Sequence, residues 1–298
     1  MQGSPRRGVL RSLSRLAWRA PWLKQLAQLG LPLTAFLAVY VAALVALFVS
    51  AFWSVDPFTS KIVHSWSLGN FSTLVHDPTY RRIALRTIGI AGAVTVTCAL
   101  LAFPYAYFLV RVARARLRIA LLVLTVLPLW VSYLVRVYSW RLILNQDGAL
   151  NWTLHKLGLG SLNIAFTNWA MWLVYTYIWL PFMVLPVYAA LERIPGSYIE
   201  ASADLGAHAR TTLRRVILPL ALPGLAAGSI FTFSLTLGDY IAPTLVGGPN
   251  SQLIGNVVFA NVGIANNLPF AAAFATVPLV IMAVYLSVMK RLGAFESL

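Results

Sequence analysis

The sequence contains little charge and very few acidic residues. Of its 298 residues, 10% are charged and only eight are Asp or Glu, whereas 59% are hydrophobic. A soluble globular domain carries about 25% charged residues. The shortage of charge therefore excludes an ordinary soluble domain. The excess of Lys and Arg over acids gives a formal net charge of +15, which needs its own explanation.

Residue types that perform covalent or metal chemistry are also scarce. Cys98 is the single cysteine, which excludes an internal disulfide, and the four histidines show no metal-ligand spacing. None of the four lysines follows the glycine of a phosphate-binding GxxxxGK[ST] loop. The apolar stretches contain neither a Ser/His pair nor paired carboxylates. We therefore predict no catalytic residue, no metal and no cofactor in this chain.

Long apolar runs are what the sequence has in abundance. A helix needs about 20 apolar residues to cross the hydrocarbon of a bilayer. Six runs are long enough, namely Leu31–Phe52, Arg86–Val110, Ile119–Trp140, Asn168–Ala190, Leu220–Ile241 and Leu268–Met289. They are continuous rather than alternating, which argues against a barrel, and a backbone in lipid must satisfy its own hydrogen bonds. The sequence predicts an all-α polytopic membrane protein with six transmembrane helices.

The distribution of the basic residues predicts the orientation of these spans. If the N-terminus is cytoplasmic, most Lys and Arg lie before span one, between spans two and three, between spans four and five, and after span six. Short cytoplasmic loops carry such an excess. We therefore predict that both termini are cytoplasmic. Orientation and attraction to anionic lipid explain the net charge, and no motif indicates binding of nucleic acid.

The first 30 residues mix basic and apolar side chains and form a separate segment, with residues 31–298 as the membrane domain. The segment is too charged for a signal peptide. Its Arg, Lys, Leu and Trp recur at helical spacing, which is typical of an amphipathic helix, or two broken at Pro21, lying on the cytoplasmic membrane surface. A disordered basic tail that only orients the protein is an equally good interpretation.

The loop between spans four and five, residues 191–219, is polar and basic although it separates two apolar spans. Ser197 and Glu200 have the spacing of a capping box. The helix that they begin should end at Gly206, the residue type favoured in a left-handed turn, and a second short helix should run from about Ala209 to Pro219. This helix–Gly–helix elbow is either a docking site for another protein or an ordinary amphipathic connector.

The same loop resembles the signature of permease subunits of ATP-binding-cassette importers of type I. That signature is EAA, three residues, Gly, nine residues and I-x-L-P, matched here by Glu200-Ala201-Ser202, Gly206 and Val216-Ile217-Leu218-Pro219. Ser202 and Val216 depart from it conservatively. The resemblance implies a cytoplasmic coupling helix held by a separate ATPase. The residues implied in coupling are Glu200, Ala201, Ser202, Asp204, Leu205, Gly206 and Ala207.

Further stretches resemble the permeases for spermidine and putrescine, a polyamine branch of that family. They include PLWVSYLVRVYSW at 128–140, GDYIAPTLVGGP at 238–249 and LIGNVV at 253–258. The resemblance implies a bacterial inner-membrane importer with a second, different permease subunit, two copies of an ATPase that binds ATP and Mg, and an extracytoplasmic solute-binding protein. Permeases for amino acids or opine-like compounds, iron or anions are alternatives, as is an ATP-independent secondary transporter.

A path for a polycation should offer carboxylates and aromatic faces, since ammonium groups bind aromatic rings. Asp239 is the one acid predicted near the end of a span, beside Tyr240, and ionisable residues at membrane depth face a cavity or a partner. We predict that Asp239, Tyr240, Trp130 and Tyr133 contact the solute. The alternative for Asp239 is an ion pair with Arg136 or Arg141 that fixes helix packing.

Overall fold

The computed structural model describes residues 21–56 and 58–291, which are mostly helical. The first helix, α1, spans Pro21–Ser50 and is followed by a two-stranded antiparallel hairpin, β1 (Ser54–Val55) and β2 (Ile62–Val63). In the turn between them, Asp56 Oδ1 accepts the backbone N–H groups of Thr59 (2.9 Å) and Phe58 (2.8 Å), which lower the pKa of its carboxyl group.

Twelve further helices continue the described chain, and two short 3₁₀ turns, at Leu127–Trp130 and Pro249–Ser251, interrupt it. In order, the helices are α2 (Gly69–His76), α3 (Pro78–Arg111), α4 (Ala115–Val126), α5 (Tyr133–Leu144), α6 (Ala149–Lys156), α7 (Asn168–Glu192), α8 (Gly196–Asp204), α9 (Ala209–Thr212), α10 (Leu218–Gly238), α11 (Ile241–Leu245), α12 (Ile254–Gly263) and α13 (Leu268–Arg291).

Five helical stretches of the described residues are long and apolar enough to cross a membrane. They are Pro32–Ser50, Pro78–Arg111, Asn168–Glu192, Ala209–Gly238 and Leu268–Arg291, and they confirm five of the six predicted spans. Residues 21–30 belong to the same helix as span one rather than to a separate one. Residues 1–20, where the rest of the predicted amphipathic segment lies, are outside the described residues.

Span three differs from the prediction of one continuous helix. The structure has two helical pieces, Ala115–Trp130 and Tyr133–Lys156, which are bent by 96°. Pro128 has no N–H for a helical bond, and the backbone is extended at Val131 and Ser132 (ψ 136° and 138°). The apolar run continues through the break, so hydropathy alone could not reveal it. The bend places the start of α5 against α7 and α11.

The core is formed where α3, α7 and α10 pack on one another. The close approach of α10 to α7 depends on two glycines one turn apart. A Cβ atom at Gly224 would lie 2.5 Å from Ala190 Cβ, and one at Gly228 would lie 2.6 Å from Met183 Sδ. Gly224 and Gly228 therefore pack helices within this chain, as small residues do in membrane bundles. Span one, in contrast, is almost entirely exposed in the isolated chain.

Candidate functional site

The polar elbow between spans four and five consists of α8, a tight turn and α9. Leu205 ends α8, and Gly206 adopts a left-handed conformation with φ +75°. The Gly206 N–H donates to the Ala203 carbonyl (2.8 Å) and the Ala207 N–H donates to the Ser202 carbonyl (3.1 Å). This bond pair is a Schellman motif, in which glycine avoids the clash that a Cβ causes. The predicted helix–Gly–helix geometry is confirmed.

The predicted capping box is wrong. Helix α8 already begins at Gly196 with Pro195 as its N-cap, and no side chain caps it. Pro195 has an extended backbone (φ −63°, ψ 143°), and this N-cap lies two residues before Ser197, the predicted N-cap. The second arm is also longer than predicted. It continues from α9 through a π-helical turn at Leu213–Ile217 directly into α10.

Most of the predicted coupling residues are at the surface. Glu200, Ala201, Asp204, Leu205 and Gly206 are exposed, with Leu205 at 88%. Ala207 and Ser202 are half-buried. The exposed residues of the elbow are therefore accessible to another protein.

Ser202 has a structural role that sequence reasoning missed. Its Oγ lies 2.9 Å from Oγ1 of the buried Thr212, so a hydrogen bond joins α8 to α9 across the turn. Serine in place of the second alanine of the signature thus allows a hydrogen bond that stabilises the elbow. The sequence shows that Ser202 and Thr212 both carry hydroxyl groups, but only the fold shows that the two groups are in contact.

Two contacts attach the elbow to the helix bundle. Arg111 Nη2, at the end of α3, donates to the Ile194 carbonyl (2.7 Å) directly before α8. Arg118 of α4 lies 3.8 Å from Glu192, the last residue of α7, and the Tyr188 hydroxyl donates to the same carboxylate (2.8 Å). The segment that leads from α7 into the elbow is therefore held against α3 and α4.

The second cluster surrounds Asp239, which follows the last residue of α10 at the end of the bundle opposite the elbow. Its Oδ2 accepts the hydroxyl groups of Tyr133 (2.7 Å) and Tyr175 (2.9 Å) and the backbone N–H of Ala242 (3.0 Å). Oδ1 accepts the N–H of Ile241 (3.2 Å). Asp239 is half-buried, and Oδ1 therefore keeps capacity for a further donor.

Among the described residues, Asp239 forms no ion pair with an arginine of span three, so this predicted alternative is wrong. Its hydrogen-bond partners are tyrosines and backbone amides instead. Arg141 lies over the rings of Tyr138 (5.5 Å) and Phe166 (5.6 Å), and Arg136 lies 5.8 Å from the centre of the Tyr133 ring.

Aromatic rings line one side of the carboxylate. Tyr133 is stacked on Trp179 with ring centres 5.7 Å apart, and Trp179 is stacked on Tyr175 at 6.4 Å. Sequence reasoning identified Tyr133 but missed Tyr175 and Trp179, although the aromatic run YTYIW of span four was a visible signal. A carboxylate and aromatic rings are the kinds of group that bind ammonium ions in proteins.

The other two predicted path residues lie outside this stack. Tyr240 is 40% exposed and is stacked on Phe259 of α12, with ring centres 4.5 Å apart. Trp130 is 87% exposed at the break of span three. Helix α12 also approaches Asp239 from its backbone side, because a Cβ at Gly255 would overlap the Asp239 carbonyl oxygen. The sequence stretches 238–249 and 253–258 therefore meet at one place.

The family model described as "Binding-protein-dependent transport system inner membrane component" matches residues 99–294, which include both the elbow and the Asp239 cluster. The chain belongs to this family. Its members are described as inner membrane components of binding-protein-dependent transport systems.

Individual relatives in this permease family support the assignment over the whole chain. The inner membrane ABC transporter permease protein YdcU of Escherichia coli (strain K12) is 45% identical, covering 99% of this chain and 98% of that protein. The spermidine/putrescine transport system permease protein PotB of the same organism is 34% identical over 76% of this chain and 82% of that protein.

A solved structure shows the same fold. A bacterial alginate ABC transporter, crystallised in complex with an alginate-bound periplasmic protein, contains a chain that matches with a TM-score of 0.75 and 17% identity. The match covers 93% of this chain and 98% of that one. The permease therefore has the helical fold of ABC importer subunits, as predicted.

Proposed function

We propose that this permease forms the translocation path of an ATP-driven importer and that its elbow, α8 to α9, is the coupling element gripped by a separate ATPase. The main observation that supports this proposal is the exposed left-handed turn at Gly206, whose position fits the spacing of the importer signature. The elbow is braced internally and fixed to α3, α4 and α7, so it can act as a lever. ATP and Mg would be bound by two copies of that partner and not by this chain.

The solute we propose is a small amine of the polyamine class. The Asp239 carboxylate beside three stacked rings supplies a negative charge and π faces, which are the two features that bind ammonium groups. The similarity to PotB, a spermidine/putrescine permease, supports the same class. A second, homologous permease subunit would complete the path, and an extracytoplasmic binding protein would deliver the solute. Both termini would be cytoplasmic, which places the elbow on the ATPase side.

Transport in reconstituted vesicles tests this function. The complete importer should take up labelled diamine only when the ATPase, hydrolysable ATP and the binding protein are all present. The energy enters as the difference in ATP affinity between two states of the assembly. Uptake driven by an ion gradient without the ATPase would refute the importer and favour a secondary transporter. Asp239→Asn should weaken diamine uptake, because it removes the charge that the ammonium group meets.

A further inference from the structure

Arg136 has buried hydrogen-bond donors without partners. Its Nε and Nη1 atoms are buried and meet no acceptor among the described residues. The guanidinium group lies 5.8 Å from the ring of Tyr133, one helical turn earlier on α5. The neighbouring Arg141, on the same helix, packs between two rings and has no such buried free donor.

An arrangement of this kind is costly unless a group from outside the chain completes it. A guanidinium group cannot lose its proton in a protein, and unsatisfied charged donors carry a large desolvation penalty. Charged residues at membrane depth are normally paired or face a cavity. The planar fork of arginine matches the two oxygens of a carboxylate. Arg136 therefore offers unpaired donors of the kind that a carboxylate accepts.

Tyr133 connects this cation to the Asp239 cluster. The Tyr133 hydroxyl donates to Asp239, and its ring lies beside Arg136. The site thus has an anionic and a cationic half that share one aromatic side chain. A diamine would place its second ammonium group near the like charge of Arg136. A solute with an ammonium group at one end and a carboxylate at the other would satisfy both halves.

We propose that the path beside Asp239 binds ω-amino carboxylates, with Asp239 receiving the ammonium group and Arg136 the carboxylate. This inference rests on the proposed importer function and extends its solute class from amines to amino carboxylates. Arg136 is the specificity-determining residue, because it distinguishes a terminal carboxylate from a terminal ammonium group.

The test compares matched solutes in vesicles that contain the complete importer. The probes are labelled ω-amino carboxylates of three to six carbons, each paired with the α,ω-diamine of equal chain length. Wild type should take up at least one amino carboxylate in an ATP-dependent manner. Arg136→Gln should lower that uptake at least about tenfold, the effect of losing a hydrogen bond to a charged group. Its diamine uptake should rise, because the substitution removes the like charge near the second ammonium group.

Two further variants separate binding from folding. Arg141→Gln, the matched control on the same helix, should leave both uptakes unchanged. Arg136→Lys keeps the charge but loses the bidentate fork and should lie between wild type and Arg136→Gln. Equal loss of both solutes in Arg136→Gln would show a structural role and overturn the proposal, as would unchanged amino-carboxylate uptake.

The same experiment separates the two proposals. Diamine uptake without amino-carboxylate uptake in wild type would leave the importer function standing and overturn the role of Arg136. Uptake of amino carboxylates alone would support Arg136 and refute the polyamine class. Uptake of neither solute under ATP would overturn both the polyamine class and the role of Arg136.

Discussion

Gly206 is the position where a single methyl group should test the coupling role of the elbow. Its φ of +75° is unfavourable for a residue with a Cβ, yet no atom lies within 4 Å of the place where a Cβ would stand. Gly206→Ala therefore creates no clash and perturbs only the backbone. The substitution isolates the cost of the left-handed turn from any loss of packing.

The size of the effect follows from the conformation. A left-handed backbone costs a non-glycine residue about 1–2 kcal/mol, which corresponds to about a 5–30-fold change in an equilibrium constant. If the ATPase binds the elbow in the conformation seen here, the dissociation constant of the ATPase should rise by about this factor in Gly206→Ala. Membrane insertion should be unaffected, because the spans keep all their contacts.

The assay is ATPase binding to the detergent-solubilised permease assembly, together with ATP-driven uptake in vesicles. Gly206→Asn should lie between wild type and Gly206→Ala, because Asn tolerates the left-handed region better than Ala does. Gly196→Ala is the matched control in the same elbow. Its Cβ would meet only Glu200 Oε1, at an ordinary 3.9 Å, and its backbone is not left-handed.

Two results would refute this reasoning. If Gly206→Ala binds the ATPase as tightly as wild type, the left-handed turn is not needed for docking. If Gly196→Ala loses as much affinity as Gly206→Ala, the effect comes from the added methyl group in the elbow and not from backbone conformation.

Two other substitutions test the substrate path and the core. Tyr175→Phe removes the hydroxyl group that donates to Asp239 at 2.9 Å. Because a hydrogen bond to a charged group contributes about 1.5–3 kcal/mol, half-maximal uptake by this variant should need about tenfold more solute. Tyr177→Phe on the same helix is the control and should resemble wild type; equal behaviour of the two variants would contradict the prediction. Gly224→Ala would place a methyl group 2.5 Å from a side-chain carbon of α7, and such overpacking costs about 1–3 kcal/mol. The melting temperature of this variant in detergent should therefore fall. Gly92→Ala is the control, because a Cβ atom there meets open space, and its melting temperature should not change.

Hydropathy predicted the spans well because it is a local property of the sequence. The predicted runs Arg86–Val110 and Leu268–Met289 lie within the observed helices Pro78–Arg111 and Leu268–Arg291. The prediction of span three as one continuous helix was wrong, because the 96° bend changes the direction of the chain without a change in composition. The capping box at Ser197 was wrong because Pro195 already sets the start of the helix.

The sequence by itself determined that this protein crosses a membrane and turns sharply at Gly206, because burial in lipid and a left-handed glycine depend on a few adjacent residues. Only the tertiary structure decided the partners of Asp239. Tyr133 and Tyr175 are 106 and 64 residues away along the chain. Hydrogen bonds over such separations are fixed by how the helices pack, and the hydropathy of each span is compatible with many packings.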